Sequence, residues 1–296
     1  MKAINPATGE VIREYEEMDA DQVGAVLERS RSAFERWSRV DFAERAGHLR
    51  AGKDELAALM AREMGKPVRE GSGEAEKCAW VCEYYAENGG RFLADEPAQT
   101  EARKSYVTFR PLGVVLAVMP WNIPLWQVFR FAAPALMAGN TVLLKHASSV
   151  PGCALAVEEL FRSAGLPDGV FRTLLVGSGA VADVIRDARV AAVTLTGSTP
   201  AGRPVASVIP VKDEARAVSV ANDTSFGLGA VVYTRDLRRG ERIAAVGLEA
   251  GCCFVNSFVR SDPRLPFGGV KESGYGRELS SFGIREFVNV KTVYVN

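Results

Sequence analysis

The sequence predicts an α/β fold: a Rossmann-like parallel sheet with helices on both faces, preceded by a layer of helices. Three observations carry this expectation. From Tyr106 onward, short apolar and β-branched runs (VVLAVMP, TVLLKHA, FRTLLV and AAVTLTG) alternate with helix-compatible stretches. Repeated strand–helix units imply parallel strands covered on both sides. One of these strands leads into a glycine-rich turn, Gly177-Ser-Gly179, ahead of helix-compatible sequence, and the segment before residue 92 shows helical rather than alternating apolar spacing.

In chain order, KAIN and EVIREYE flank the turn residues Pro6, Ala7, Thr8 and Gly9 and read as a hairpin. Asp19 offers an N-cap. Helical patterns run over Asp19–Trp37, Phe42–Met64 and Val68–Phe92, with Gly65 and Pro67 punctuating the last pair. The four buried strands follow. A second alternating block has SVIPV, GAVVYT and GCCFVN as strands, with helices over Lys212–Asn222 and Asp236–Val246. LPFGGVKESGYGREL is a glycine-rich loop leading to a helix, and NVKTVYV closes as a strand.

The 296 residues carry 36 Lys plus Arg against 36 Asp plus Glu, so no basic footprint points to nucleic acid or an anionic membrane. The N-terminal stretch lacks an apolar h-region and no apolar run reaches bilayer length. A cytoplasmic protein acting on a small molecule or a protein partner is expected. Five cysteines (Cys78, Cys82, Cys153, Cys252 and Cys253) form no dense framework, which suits a reducing compartment without structural disulfides. Cys78 and Cys82 could share a helix face, but His48 and His146 have no matching spacing, so no metal is expected. Strand alternation sends Cys252 and Cys253 to opposite faces, one to the core and one outward.

Ligands of parallel sheets bind beyond the carboxyl ends of the strands. The candidates are therefore Pro120–Asn122, Lys145–Ser148, Gly177–Gly179 and Gly197–Thr199. Gly177-Ser-Gly179-Ala-Val-Ala182 fits the G-x-G-x-x-G/A dinucleotide pattern, whose glycines allow a tight turn and a close approach to pyrophosphate. A glycine-rich strand-to-helix turn without a ligand carries the same letters. Lys145 could meet a ribose hydroxyl or phosphate; an exposed lysine at a strand exit is the ordinary alternative. Trp121 and Asn122, between Pro120 and Pro124, present a flat ring and an amide donor on a stiffened turn.

PWNIP, LLKHASSVP, LTGST, SFGLGA and PFGGVKESGYGREL stand in one order along the chain. In that order they resemble the motifs of the aldehyde dehydrogenase superfamily. FRFAAPALMAGNTVLLKHA and SDPRLPFGGVKESGYGRELSSFGIREFVNVK are similar to its succinate semialdehyde dehydrogenase branch. The resemblance implies NAD(P)-dependent oxidation of an aldehyde to a carboxylate. It further implies an NAD or NADP site lined by Trp121, Asn122, Lys145, Ser148, Gly197 and Ser198, with Gly177 and Gly179 nearby. Asn122 would also serve the oxyanion hole, where a preorganised donor lowers a barrier by roughly 3–4 kcal/mol. The same branch places an arginine for the substrate's distal carboxylate where Arg130 stands, eight positions beyond Asn122, although a helix-packing arginine fits equally; Ser261 is a second substrate candidate.

Family chemistry is covalent: a cysteine thiolate attacks the aldehyde, hydride passes to the cofactor, and a glutamate activates water. The family carries that glutamate in an E-L-G-G run, the cysteine in a G-Q-x-C-like run, and a cofactor grip in E-x-F-G-P. None of the three occurs here. LTGSTPAGR continues directly into PVASVIPVKDEARAVSVANDTSFGLGA, with the apparent junction at Arg203 and Pro204, so roughly a third of the family's chain is missing, about a domain's worth of core. The implied organisation is an N-terminal helical layer with the NAD(P)-binding domain over 1–203, a remnant of the catalytic domain over 204–262, and a C-terminal loop, helix and oligomerisation strand over 263–296. The implied partners are a small-molecule aldehyde and either further copies of the chain or a full-length homologue. Activity is expected to be impaired; the alternatives are a non-catalytic cofactor-binding or oligomerisation subunit and a non-functional deletion product.

Overall fold

A computed structural model describes residues 1–47, 54–197 and 209–295. The opening hairpin forms from β1 (Lys2–Ile4) and β2 (Val11–Glu14), paired antiparallel. Gly9 takes the left-handed position in its loop, with φ +74°. Asp19 starts α1 (Ala20–Trp37) with a reciprocal capping box: its carboxylate accepts from the Gln22 N–H at 2.8 Å, and the Gln22 side chain accepts from the Asp19 N–H at 3.0 Å. α2 (Phe42–Gly47), α3 (Asp54–Met64) and α4 (Val68–Phe92) complete the helical layer. The helix expected over Phe42–Met64 is thus described as two pieces, and residues 48–53, His48 among them, lie outside the described residues.

The strand–helix repeats follow. β3 (Glu96–Pro97) and β4 (Lys104–Pro111) precede β5 (Val114–Met119), α5 (Trp126–Met137), β6 (Thr141–His146), α6 (Pro151–Ser163), β7 (Phe171–Thr173), α7 (Val181–Arg186) and β8 (Val190–Leu195). The last four strands form one parallel sheet in the order β7-β6-β5-β8. FRTLLV is strand only to Thr173. Beyond Leu174 the chain turns to another partner, with the Met18 N–H bonded to the Leu175 carbonyl at 2.8 Å.

Both faces are covered over the central strands β5 and β6, which is why these read as continuous apolar runs. Val114, Leu116 and Leu143 pack with Val26 and Leu27 of α1 and Val184 of α7. The alternate residues Val115, Ala117, Val142 and Leu144 are equally buried. On their side α6 is tied down by the Thr173 hydroxyl, which donates to the Ala154 carbonyl at 3.1 Å.

The chain divides into two compact units, Met1–Gly197 with Phe287–Asn296, and Ser198–Glu286. The second contains α8 (Glu214–Asn222), β9 (Phe226–Gly227), β10 (Gly229–Val232), α9 (Leu237–Arg242) continued by a π turn at Ile243–Gly247, β11 (Cys252–Val255), β12 (Val270–Lys271) and α10 (Ser280–Arg285). β10 and β11 pair in parallel, and β9 and β12 pair antiparallel. The expected SVIPV strand is not found in its described part: Ile209 and Val211 are exposed, and Pro210 has no N–H to give a ladder. The junction residues Arg203 and Pro204 lie outside the described residues.

The final strand, β13 (Val288–Val295), counts with the first unit, where it pairs antiparallel with β4 over eight residues. Asn140, fully buried, ties its start to the core. The Asn140 amide donates to the Ala135 and Phe287 carbonyls at 3.1 and 2.9 Å, and its oxygen accepts from the Gly113 N–H at 3.0 Å.

Candidate functional site

Because β5 to β8 run parallel, all four carboxyl ends emerge along one edge of the sheet, about 14 Å wide at the usual strand spacing. Trp121 and Asn122 follow β5, Lys145 ends β6 with Ser148 just beyond, Gly177 and Gly179 follow β7, and Gly197 follows β8. Trp121 is 55% exposed, and Asn122 and Ser148 are exposed as well. Ser198 lies outside the described residues.

Lys145 is not the exposed lysine of a plain strand exit: only 7% of it is accessible. Burial lowers its pKa, and the nearby Glu17 carboxylate partly offsets this. Among the described residues its ammonium makes no ion pair within contact distance. Glu17, from the segment ahead of α1, also stands 3.2 Å from where a Gly177 side chain would begin. The next residue, His146, is buried and pins two turns together. Its Nε2–H donates to the Pro124 carbonyl at 2.9 Å while its Nδ1 accepts from the Ala147 N–H at 2.9 Å. Burial drives its pKa down to about 4, so the ring is neutral at physiological pH.

Gly177, Gly179 and Gly197 all lie outside the left-handed region, and Gly179 faces open space with nothing within 4 Å of an added Cβ. The turn after β7 therefore needs no glycine for its backbone geometry. Arg130 of α5 reaches the same sheet edge, its Nη2 donating to the Thr196 hydroxyl at 3.1 Å. Thr196 in turn bonds through its N–H to the Val118 carbonyl at 3.0 Å. In the second unit, Ser261 is half-buried beside a cavity of about 200 Å³ lined by Cys252, Cys253, Arg260, Asp262 and Phe267. Asp262 is held low by a bidentate pair with Arg264.

Burial raises the pKa of four of the five thiols. Cys78, Cys82 and Cys153 are buried, and burial raises each pKa, that of Cys82 to about 12. Cys253 is half-buried and also raised, by burial and by Cys252. The two Sγ atoms contact different carbonyls, Gly268 and Ala250, as opposite strand faces require. Among the described residues there is no cluster of three or more His, Cys, Asp or Glu able to hold a metal, and no helix is long and apolar enough to cross a membrane.

Sequence reading did not find Glu17, His146 as a tether, or two buried carboxylates, Glu63 and Glu74, that hold the turns after β6 and β5. Each acts on a segment from another part of the chain or reads locally as an ordinary surface type, so no local signal marks it.

The sequence profile of the Aldehyde dehydrogenase family matches residues 1–207 and 203–293. The chain belongs to the aldehyde dehydrogenase family. A probable succinate-semialdehyde dehydrogenase (NADP(+)) of Synechocystis is 32% identical, with 99% of each chain covered. Succinate-semialdehyde dehydrogenase (NADP(+)) 1 of Mycobacterium tuberculosis is 34% identical, again with 99% of each covered. The Synechocystis alignment runs over 449 positions against the 296 residues here, so at least 153 positions face no residue of this chain. The two matched stretches meet at 203–207, at the apparent junction. Among solved structures, succinic semialdehyde dehydrogenase of Streptococcus pyogenes in complex with NADP+ superposes with a TM-score of 0.90 at 25% identity, covering 99% of both chains. An NADP-dependent enzyme of E. coli gives 0.92 at 25%, covering all of this chain and 94% of the other.

Proposed function

We propose that this aldehyde dehydrogenase family chain binds NADP or NAD along the carboxyl edge of the β5–β8 sheet but does not oxidise aldehydes at a family-like rate. The supporting observation is the convergence of Trp121, Lys145, Ser148 and Gly177–Gly179 on one edge, with a buried lysine cation and open space above Gly179. These residues suit a phosphorylated nucleotide: the indole offers a face, Lys145 a cation, and the turns backbone N–H groups. A bound cofactor would supply the hydride acceptor for aldehyde oxidation. Asn122 would still present its amide as an oxyanion donor, and Arg130 would offer its guanidinium to a distal carboxylate such as that of succinate semialdehyde.

The nucleophile and the water-activating carboxylate are the parts with no counterpart. Their motifs are absent from the sequence, and Cys78, Cys82, Cys153 and Cys253 are raised rather than lowered in pKa, the reverse of an activated nucleophile. Isothermal titration with NADP and NAD, run beside an assay with succinate semialdehyde, tests both halves. Measurable cofactor binding without turnover is expected. Robust turnover abolished by Cys253→Ser would overturn the inactive reading, and no heat with either cofactor would overturn the binding reading.

A second reading is favoured by one observation. Among the described residues β8 stands at the edge of its sheet, and one of its faces carries bare apolar residues, Leu195 being 66% exposed and Val193 exposed beside it. Unpaired apolar edges invite another chain. This supports a non-catalytic subunit that associates with further copies or with a full-length homologue, and co-purification with such a homologue would separate it from the first reading.

A further inference from the structure

Two buried carboxylates from the helical layer grip the first turns of the helices that follow the site strands. Glu74 of α4 accepts from the Leu125 and Trp126 N–H groups at 2.7 and 2.8 Å, and its other oxygen pairs with Lys66. Glu63 of α3 accepts from the Gly152 N–H with one oxygen at 2.8 Å and from the Cys153 N–H with the other at 2.7 Å. Neither α5 nor α6 has a side-chain cap of its own, so these distant carboxylates take over the orphan N–H groups of both helix starts. The fit at Gly152 is close: a Cβ there would lie 2.4 Å from Glu63 Oε1 and 2.8 Å from the Tyr15 hydroxyl. Between each strand end and its gripped amides lies a turn of the candidate site, Pro120–Pro124 after β5 and Ala147–Val150 after β6.

We propose that Glu74 and Glu63 are positioning residues for the cofactor edge, Glu74 setting the Trp121–Asn122 turn and Glu63 setting the Lys145–Ser148 turn. The inference rests on the cofactor reading above. A turn fixed at the strand by the ladder and at the helix by a buried charge has few ways to move, which presets its side chains for a ligand. Each carboxylate also occupies a positively polarised helix end and so closes it to an outside anion.

The test is hydrogen exchange followed by mass spectrometry on Glu74→Gln and Glu63→Gln, with NADPH fluorescence titration of the same proteins. Glu74→Gln should speed exchange of amides 121–127 by roughly tenfold or more and leave 147–153 unchanged; Glu63→Gln should do the reverse. NADPH affinity should fall by about tenfold in each. A residue with only a general structural role would loosen both segments together, and that outcome overturns the assignment, as does no change in the segment facing the substituted carboxylate. The crossed pattern with wild-type NADPH affinity overturns the positioning role. If the unsubstituted chain takes up no NADPH, the cofactor reading fails, and the crossed exchange alone then decides whether these carboxylates hold the turns. Should a Gln variant fail to fold, Glu74→Asp and Glu63→Asp keep the charge and withdraw it by one methylene, and the same crossed pattern is expected.

Discussion

At the scale of single residues, His146 shows how burial converts an ordinary side chain into a pH-dependent tether. Its folded pKa of about 4 lies below the 6.5 of a solvated imidazole. Between those values the unfolded chain binds the proton and the folded chain does not. The contribution to stability is therefore complete above pH 6.5 and falls as pH drops through the window, by up to ~1.4 kcal/mol per pH unit. Urea midpoints measured from pH 7 to 4.5 should show this slope, and His146→Gln should be less stable at pH 7 but flatter across the window. An unchanged slope would place the titrating group elsewhere. Ser148, exposed beside Lys145, bears on cofactor choice. Ser148→Glu should weaken NADP more than NAD, because a carboxylate near a 2′-phosphate costs about 1–4 kcal/mol. Equal losses in calorimetry would mean that Ser148 does not face the 2′ position.

Between elements, the joint at Asn140 is the place where a small change should cost most. Its amide satisfies the Gly113 N–H at the start of β5, the end of α5 at Ala135, and the Phe287 carbonyl at the entry to β13. Asn140→Ala would leave these buried groups without partners, a loss of about 2–4 kcal/mol, read as a drop in the urea midpoint with little change in slope. Loss of less than about 0.5 kcal/mol would show that water replaces the side chain. The N-cap at Asp19 and the hairpin around Gly9 were legible in sequence because both are local. The Asn140 joint was not, since one of its partners lies 147 residues away.

For the whole molecule, the distribution of core is uneven. Fully buried apolar residues crowd the first unit, from Val114 through Leu144, whereas the second contributes few, among them Cys252, Leu279 and Ile284. Stability follows buried apolar area, so the second unit should open first. Limited proteolysis is expected to cut within 209–286 well before it cuts within 104–195, and thermal unfolding should show two steps rather than one. A single transition with simultaneous loss of both segments would contradict this. The alignment to the Synechocystis relative leaves at least 153 positions with no residue of this chain.

What the sequence determined by itself was whatever depends on neighbours along the chain or on ordered motifs: the apolar strands β5 and β6, the α1 cap, the cysteine faces at Cys252 and Cys253, the family, and the abrupt join after LTGSTPAGR. The tertiary structure alone decided what depends on distant groups meeting. It set the burial of Lys145, the neutral tautomer of His146, the ordinary backbone of Gly177 and Gly179, the reach of Arg130 to Thr196, and the capture of two helix starts by Glu63 and Glu74. The reason is that residue type and periodicity report local preference, while desolvation and hydrogen-bond partnership belong to the packed neighbourhood and exist only once segments 50 to 150 residues apart are brought together.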